Sequence, residues 1–219
     1  MAASEPSNAP DLPEGFLYRP EFISPAEEKA LLSEIGQLNF QAFDFHGYIA
    51  KRRIVEYGFE YDFTSRQPQT ASPLPPFLDP FRNRAAAWAG ISPQEIIESV
   101  ITEYSPGSPI GWHRDVPQFE IIIGISLQSG CRFRFKPYRS EGKVISFTLA
   151  PRSAYILRDA ARWKFQHSIP AVKSLRYSIT FRTWRNKGTA KRERSTLNSE
   201  PSPRGQSESK VEKRSAVRQ

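Results

Sequence analysis

Cysteine, histidine and long apolar stretches are all scarce in this sequence of 219 residues. The single cysteine, Cys131, excludes an internal disulfide and a metal site built from several thiolates. The longest apolar run, residues 121–125, is far shorter than the ~20 residues that a membrane-spanning helix requires. The first 15 residues have neither a basic segment nor an apolar core, so they do not resemble a secretory signal. Together these absences predict a protein of a reducing compartment, the cytoplasm, with no membrane association.

Basic residues outnumber acidic ones, and the formal net charge is +8. Residues 186–219 contain nine Lys and Arg but only four Glu, a net charge of +5, which leaves +3 for residues 1–185. Such a basic segment can hold nucleic acid loosely by neutralising phosphates, but it serves equally well as a solubilising extension. The charge therefore favours a nucleic-acid partner without establishing one.

Changes in composition divide the chain into three segments. Residues 1–14 are predicted to be a disordered leader, residues 15–185 one folded domain, and residues 186–219 a disordered basic tail. A capping box, with Ser24 as the N-cap and Glu27 as the third helical residue, marks the first helix of the domain. The sequence thus predicts a single domain that begins with helical structure.

Strand patterns dominate the rest of the domain. Residues 57–63 alternate aromatic with small or acidic side chains, and residues 65–76 form a predicted proline-rich loop before a second helix that ends at Gly90. Residues 119–127 are nearly all apolar, as in a strand that is buried on both faces, and residues 131–136 alternate apolar with basic. Helices followed by many short strands predict an α+β fold with a sandwich or jelly-roll core.

Two of the three histidines occur in a pattern typical of metal ligands. His113 and Asp115 are two residues apart, so both side chains leave one face of an extended segment. His167 follows 54 residues later, after several strands. Two imidazoles and one carboxylate form the facial set that holds non-haem Fe(II) and leaves coordination positions open. The third histidine, His46, lies in an aromatic early segment and is interpreted as structural or substrate-facing and not as a metal ligand. The trio predicts an iron site, although such residues also occur as polar groups at surface turns.

A strand near the end of the domain separates its polar and apolar side chains cleanly. One face carries Tyr177, Ile179 and Phe181, and the other carries Arg176, Ser178, Thr180 and Arg182. The polar face either meets water, as on any half-exposed strand, or faces a cavity that holds an anion. Arginine suits the second role because its planar guanidinium binds a carboxylate through two parallel hydrogen bonds.

Four motifs follow one another along residues 104–182. They are Tyr104-Ser105-Pro106-Gly107, His113-x-Asp115, His167-Ser168-Ile169-Pro170 and Arg176-x-Ser178-x-Thr180-x-Arg182. In order and spacing they resemble the AlkB dioxygenase family, and the resemblance covers residues 15–185. It implies a double-stranded β-helix (jelly-roll) core with N-terminal helices and a variable nucleotide-recognition lid. It also implies an enzyme that uses Fe(II), with 2-oxoglutarate and O₂ as co-substrates.

By position, this resemblance implies that His113, Asp115 and His167 bind the iron and form the catalytic centre. The implied reaction converts 2-oxoglutarate to succinate and CO₂ and hydroxylates an alkyl carbon of the substrate. Where that carbon is attached to nitrogen, the hydroxylated product collapses and releases an aldehyde. The resemblance therefore predicts oxidative demethylation of bases in DNA, RNA or tRNA, with release of formaldehyde.

Five further residues are implied to bind the co-substrate. Arg176 would pair with the distal carboxylate of 2-oxoglutarate, Tyr104 would donate its hydroxyl hydrogen to it, and Arg182 would fix the carboxylate end near the metal. Thr102 and Ser178 stand where family members commonly have Asn. Both replacements keep a hydrogen-bonding group but shorten its reach.

Substrate recognition is the least determined part of the resemblance. Pro117 stands where some DNA-repairing members carry an acidic residue that contacts the damaged base. An earlier segment offers Tyr48 for stacking on a base, and Lys51, Arg52 and Arg53 for phosphates, although three adjacent cations also protect a strand edge. The predicted partner is single-stranded DNA or RNA, and the chain is taken to be a monomer.

Two other functions stay open at the level of sequence. The same oxygenase chemistry could act on a protein or a small molecule, which the net charge of +3 outside the tail and Pro117 favour. A non-catalytic RNA-binding module could work through its basic tail, but such a binder has no use for the trio of His113, Asp115 and His167.

Overall fold

A computed structural model describes residues 12–45, 48–62, 67–70 and 72–185 of the chain. The strands of this part are Phe16–Arg19 (β1), Gln41–Phe45 (β2), Tyr48–Tyr57 (β3), Phe59–Asp62 (β4), Gln67–Thr70 (β5), Ile96–Tyr104 (β6), Ile110–His113 (β7), Phe119–Leu127 (β8), Cys131–Pro137 (β9), Ile145–Leu149 (β10), Ala154–Leu157 (β11), Phe165–Ile169 (β12) and Arg176–Trp184 (β13). The helices are Pro25–Ile35 (α1), Asp79–Ala89 (α2) and Asp159–Trp163 (α3), with short 3-10 helices at Pro76–Leu78 and Pro93–Glu95. Within these ranges no helix has the length and apolar character needed to cross a membrane.

Two antiparallel sheets face each other and form the core. The larger sheet has the strand order β1-β11-β8-β13-β6-β3-β2, and the smaller sheet has the order β10-β9-β12-β7. From β6 to β9 the chain alternates between the larger and the smaller sheet at every strand, and it does so again from β11 to β13. This winding is that of a double-stranded β-helix, so the predicted jelly-roll core is confirmed. A separate hairpin pairs β4 with β5.

The larger sheet is covered on both faces because its strands carry apolar side chains in both directions. On one face Ile123 and Ile125 pack with Leu31 and Ile35 of α1 and with Phe81 of α2. On the other face a second apolar cluster fills the space between the sheets; it includes Ile122, Leu157, Phe133 and Phe135. The prediction that residues 119–127 form a strand buried on both faces is confirmed.

The predicted helix signals are confirmed at both helices. The Ser24 hydroxyl accepts a hydrogen bond from the backbone N–H of Glu27, and the Glu27 carboxylate accepts one from the backbone N–H of Ser24. Helix α2 ends at Gly90, whose φ of 72° lies in the left-handed region that glycine adopts without strain.

Two local predictions are confirmed only in part. The strand predicted for residues 57–63 is broken at Gly58, where φ is +87° and an added Cβ would lie 2.0 Å from the carbonyl oxygen of Ile97. The close approach of the two backbones therefore requires glycine and ends β3. The loop predicted for residues 65–76 contains strand β5, because its backbone pairs with β4 in spite of Pro68.

The limits of the domain are only partly within the described residues. Residues 1–11 and the basic tail 186–219 lie outside them, so the leader and the tail stay predictions. Residues 12–14 of the predicted leader are described, and they contact the domain: Leu12 packs against the apolar cluster between the sheets, and the carbonyl oxygen of Glu14 accepts a hydrogen bond from the Ala161 N–H.

Candidate active site

The three predicted metal ligands come together where the end of β7 lies beside the middle of β12. His113 ends β7, and His167 lies directly opposite it on β12. Asp115 follows His113 by two residues and places its Oδ2 atom 3.6 Å from Nε2 of His167. One ligand atom from each side chain can be chosen so that all three lie within 4.8 Å of one another. Strand pairing thus assembles a facial set of donors from residues that are far apart in sequence.

Hydrogen bonds leave one donor atom of His113 and one of Asp115 available for a metal. The Nδ1 atom of His113 lies 2.9 Å from the carbonyl oxygen of Gly111, which fixes the ring and leaves Nε2 free. The Oδ1 atom of Asp115 accepts hydrogen bonds from Nε and Nη2 of Arg182 at 3.0 and 2.9 Å. The Oδ2 atom of Asp115 is buried and has no hydrogen-bond partner among the described residues. An unpartnered carboxylate oxygen that faces two imidazoles is suited to a cation.

The protonation states that metal binding needs are already favoured. Burial lowers the pKa of His167 to about 3, and the neighbouring His113 adds to this effect. Burial likewise lowers the pKa of His113. Burial alone would raise the pKa of Asp115, but the positive charge of Arg182 and other cationic neighbours hold it well below its usual range. At neutral pH the trio therefore offers two neutral imidazoles and one carboxylate, which is the state that binds a divalent metal.

Arg176 is a buried cation with an unused hydrogen-bond donor. Its side chain is 1% exposed, and its Nε donates to Oγ of Ser126 at 3.1 Å. Its guanidinium carbon lies 4.9 Å from the ring centroid of Tyr104, the residue opposite it on β6. The Nη1 atom is buried and has no partner in the described part of the chain. A buried guanidinium is costly unless an anion pairs with it, so this position fits a ligand carboxylate.

The polar face of β13 looks into a cavity and not into bulk water. Ser178 is 4% exposed and lies opposite Thr102 of β6, and both residues line the cavity together with Arg176 and Tyr104. The apolar residues of β13 face the helices instead. Of the two alternatives for this strand, the structure shows the cavity.

Arg182 has a different set of contacts from Arg176. Besides Asp115, its guanidinium contacts the carboxylate of Glu98, which is 1% exposed. The observed contacts therefore hold the candidate metal ligand Asp115 in place, and the contact of Arg182 with a co-substrate stays a prediction. Sequence reasoning missed Glu98, although an acidic residue in the strand next to an arginine is a signal for such a pair.

One cavity of about 740 Å³ joins these parts of the site. The three candidate metal ligands, Arg176 and Arg182 all line it. Its volume is within the range of small-molecule sites. The donor set and the two unpartnered atoms, Asp115 Oδ2 and Arg176 Nη1, fit an iron ion and an anionic co-substrate in the same cavity.

Two further residues shape this cavity without any signal in the sequence. Arg162 of α3 is 2% exposed, and its Nη2 lies 3.2, 2.8 and 2.9 Å from the carbonyl oxygens of Asp115, Val116 and Phe119. It therefore fixes the loop that carries Asp115. Tyr155 lines the cavity wall beside Gly124, where an added Cβ would lie 2.3 Å from the Tyr155 ring.

The predicted substrate residues are separated by the alternation of β3. Arg52 lines the cavity, as do Ala50 and Ile54 on the same face of the strand. Arg53 points to the opposite face, where its Nε and Nη2 donate to the Glu103 carboxylate at 2.9 and 3.0 Å. Lys51 shares that outer face and is exposed. The side chains of Tyr48 and His46 lie outside the described part of the structure.

Comparison with known proteins gives the family. The 2OG-Fe(II) oxygenase superfamily matches residues 15–182. The uncharacterized protein L905 of Acanthamoeba polyphaga mimivirus is 29% identical over 77% of this chain and 84% of its own length. The alkylated DNA repair protein ALKBH8 homolog of Arabidopsis thaliana is 27% identical over 78% of this chain. The tRNA (carboxymethyluridine(34)-5-O)-methyltransferase alkbh8 of Xenopus tropicalis is 27% identical over 75% of it. The chain spans 59% and 26% of the length of these last two proteins.

A solved structure supports the same fold. The structure of OsALKBH1 superposes with a TM-score of 0.63 at 12% identity, and the match covers 81% of this chain and 98% of that one. The ligand trio, the buried arginine and the family match agree with one another. The chain belongs to the 2OG-Fe(II) oxygenase superfamily and is an AlkB-type oxidoreductase that uses Fe(II), 2-oxoglutarate and O₂.

Proposed function

We propose that this enzyme removes alkyl groups, chiefly methyl groups, from bases of DNA, RNA or tRNA. Bound Fe(II), together with 2-oxoglutarate and O₂, supplies the oxidation, which yields succinate, CO₂ and, from an N-methyl group, formaldehyde. In this proposal His113, Asp115 and His167 hold the iron. The observation that carries the chemistry is the pair of buried atoms Asp115 Oδ2 and Arg176 Nη1, which line one cavity and have no hydrogen-bond partner among the described residues.

The proposed co-substrate contacts follow from the walls of the cavity. Arg176 binds the distal carboxylate of 2-oxoglutarate, because its guanidinium is buried and one of its donors is unused. Tyr104 lies beside it and donates its hydroxyl hydrogen to the same molecule. Thr102 and Ser178 lie opposite each other on neighbouring strands and offer shorter hydrogen-bonding groups along the same wall. Together these residues orient 2-oxoglutarate with its 2-oxo acid end toward the iron ligands.

The nucleic-acid part of the proposal rests on the cavity edge and on the relatives. A base must leave its stack to reach a buried metal, at a cost of a few kcal/mol, and aromatic rings then hold it. Trp112 and Tyr138 line the cavity and are only partly buried, so they offer rings to the bases next to the one that enters, and Arg52 lines the same cavity. Two relatives bear names that refer to alkylated DNA and to tRNA. A nucleotide-recognition lid, as the family resemblance implies, is part of this proposal.

The test compares substrates under identical conditions. Enzyme, Fe(II), ascorbate and 2-oxoglutarate are incubated with methylated single-stranded oligonucleotides, methylated duplexes, tRNA, and peptides that contain methylated lysine or arginine. Formaldehyde release is measured, and mass spectrometry identifies the demethylated product. We expect turnover on single strands or tRNA to exceed turnover on duplexes, because a paired base costs more to flip out. An Asp115→Asn enzyme serves as the inactive control.

A second candidate is the same oxygenase chemistry on a protein or a small molecule. Pro117 favours it, because this exposed residue lines the cavity and its side chain can neither donate nor accept a hydrogen bond with a base. Turnover on the methylated peptides but on none of the nucleic acids would support this candidate over the first.

A further inference from the structure

Strand β9 presents a row of cations to solvent. Its apolar residues point into the core between the sheets, and the alternate residues point outward. The outward residues are Arg132, Arg134 and Lys136, which we name the β9 cationic face. Among the described residues, no carboxylate lies within salt-bridge distance of these three side chains. Three like charges that repel one another along one strand are therefore left without an acidic partner from the described fold.

Aromatic rings connect this face with the cavity. The guanidinium carbon of Arg134 lies 4.8 Å from the ring centroid of Trp112, and Nζ of Lys136 lies 5.2 Å from the same ring. The guanidinium carbon of Arg114 lies 3.6 Å from the ring centroid of Tyr138. Trp112, Arg114 and Tyr138 all line the cavity. A continuous cationic and aromatic surface thus runs from the outside of the smaller sheet to the entrance of the active site.

The contacts of Arg134 and Lys136 hold the face in shape without neutralising it. The Nε of Arg134 donates to Oγ of Ser168 at 3.0 Å, and the Trp112 ring supports both long side chains. A cation over an aromatic ring keeps its full charge. A row of fixed charges along an extended strand is complementary to a linear polyanion.

We propose that the β9 cationic face binds the phosphates of a single nucleic-acid strand whose modified base enters the cavity. Trp112 and Tyr138 stack on the bases that flank the modified one, because base stacking on aromatic rings together with a cationic track is how single strands are bound. This inference rests on the proposed function, since it supplies the path by which the substrate reaches the iron site.

The test measures binding of an unmodified, fluorescein-labelled single-stranded oligonucleotide of about 12 nucleotides by anisotropy over a range of salt. It compares the full chain with the variant R132Q/K136Q, so that residues 186–219 contribute equally to both. Each single-strand phosphate contact contributes about 0.7 to the slope of log K against log salt. In R132Q/K136Q, which loses two such contacts, the magnitude of this slope should fall by about 1.4. The variant should then bind the oligonucleotide about 25-fold more weakly than the unaltered chain at about 0.1 M salt, and equally well at about 1 M salt.

The matched control removes the same number of charges elsewhere. The control variant R19Q/K29Q replaces two exposed cations, Arg19 at the end of β1 and Lys29 in α1. Arg19 resembles the cations of the β9 cationic face in that its guanidinium carbon lies 5.3 Å from an aromatic ring centroid, that of Trp88. We expect this control to keep the slope of the unaltered chain. A charge-reversed variant, R132E/K136E, should reduce affinity further than R132Q/K136Q does, and the thermal unfolding midpoint verifies that every variant is folded.

The outcomes separate this inference from the proposed function. An unchanged slope in R132Q/K136Q overturns the inference even if methylated oligonucleotides are turned over. A reduced slope supports phosphate binding at the β9 cationic face. If no methylated nucleic acid then releases formaldehyde, the proposed function is wrong, entry of a modified base into the cavity is overturned with it, and only nucleic-acid binding at the face stands. An anionic membrane surface is the alternative ligand for such a row of cations, and vesicles that contain phosphatidylserine test it. If the substitutions weaken vesicle binding but leave oligonucleotide binding unaltered, the face binds a membrane and the inference is overturned.

Discussion

Arginines on the helix-covered side of the larger sheet and arginines around the cavity have different partners. On the helix side, Arg53 binds Glu103, Arg84 binds Glu27, and Arg152 binds Glu21 and Glu28. Around the cavity, Arg176 keeps a donor that has no partner among the described residues. Arg114 lies over the Tyr138 ring, and no carboxylate of the described residues lies within salt-bridge distance of it. Both groups of arginine belong to the same domain, so they differ in the partners of their side chains.

The difference indicates which cations serve the fold and which serve a ligand. A paired surface arginine adds at most a modest amount to stability. A buried cation without a partner lowers stability until an anion arrives. Arg182 differs from the other cavity arginines, because it lines the cavity and is nevertheless paired with the carboxylates of Asp115 and Glu98. The charge of Arg182 holds the candidate metal ligand Asp115, so it is less available than the charge of Arg176 to bind an anionic ligand.

The largest effect is expected from a metal ligand. Asp115→Asn removes the negative charge that Arg182 holds in place, and it should lower Fe(II) affinity by more than ~100-fold, since even residues behind metal ligands account for ~10- to 100-fold. Fe(II) binding is measured by anaerobic calorimetry, and turnover by succinate formation. Asp159→Asn changes an exposed carboxylate outside the cavity and serves as the control. Equal Fe(II) affinity in Asp115→Asn and in the unaltered enzyme would remove Asp115 from the metal site.

The next effect sets a cavity arginine against a helix-side arginine. Arg176→Ala should raise the KM for 2-oxoglutarate at least ~100-fold, because one-sided loss of a buried charge pair costs ~3–5 kcal/mol. Arg84→Ala should leave that KM unchanged and lower the free energy of unfolding, because its partner Glu27 belongs to the fold. Steady-state succinate formation gives the KM, and urea unfolding gives the stability. If both variants change the KM alike, the division between the two groups of arginine is wrong.

Part of the candidate site could be predicted from the sequence, and the remaining part depends on the pairing of strands that are distant in sequence. The spacing of His113 and Asp115 and the alternation from Arg176 to Arg182 follow from the two-residue period of a strand, so they could be predicted. That His167 lies opposite His113 depends on the register of β12 with β7, which local patterns do not determine. Sequence patterns placed residues of the site correctly where strand periodicity alone decides the face.

The missed residues act through contacts that have no sequence signature. Arg162 binds three backbone carbonyls, and any residue can supply a carbonyl. Tyr155 fits the cavity wall only because Gly124 on the neighbouring strand has no side chain. The run of cations from Lys51 to Arg53 was predicted as one group, but alternate residues of a strand face opposite sides, so only Arg52 lines the cavity.

A smaller effect is expected from the arginine that supports the loop of Asp115. Arg162→Gln shortens the side chain and leaves carbonyl oxygens of Asp115, Val116 and Phe119 without their donor. Unsatisfied buried acceptors cost ~1–3 kcal/mol each, and some will reach water, so we expect a loss of ~3 kcal/mol in the free energy of unfolding. Fe(II) affinity should fall by ~10-fold, as for other residues that orient a metal ligand.

Arg162→Gln is measured by urea unfolding and by anaerobic Fe(II) titration, and Arg176→Ala is measured in the same way for comparison. Arg162 binds carbonyl oxygens of the loop that carries Asp115 and of the start of β8, whereas Arg176 faces the proposed 2-oxoglutarate site. The first variant should therefore change Fe(II) affinity, and the second should change the KM for 2-oxoglutarate. A drop in stability with Fe(II) affinity unaltered would show that Arg162 supports the fold but does not position Asp115.

The smallest effect concerns a pair on the helix side, and it depends on pH. A hydrogen bond from Arg84, followed by that from the Ser24 backbone, lowers the pKa of Glu27 from 4.5 to about 2. A carboxyl group whose pKa is lower in the folded state stabilises the fold above its unfolded pKa, and that contribution disappears as the pH falls toward the folded value. Both side chains are about one-third exposed, so solvent screening limits the contribution to about 1 kcal/mol.

Glu27→Gln keeps a side chain that can close the capping box, so it isolates the charge. Urea unfolding should show the variant about 1 kcal/mol less stable from pH 7 down to the unfolded pKa, and the difference should vanish near pH 2. A difference that stays constant across this range would mean that the charge of Glu27, and the lowered pKa that accompanies it, does not account for the contribution of this side chain to stability.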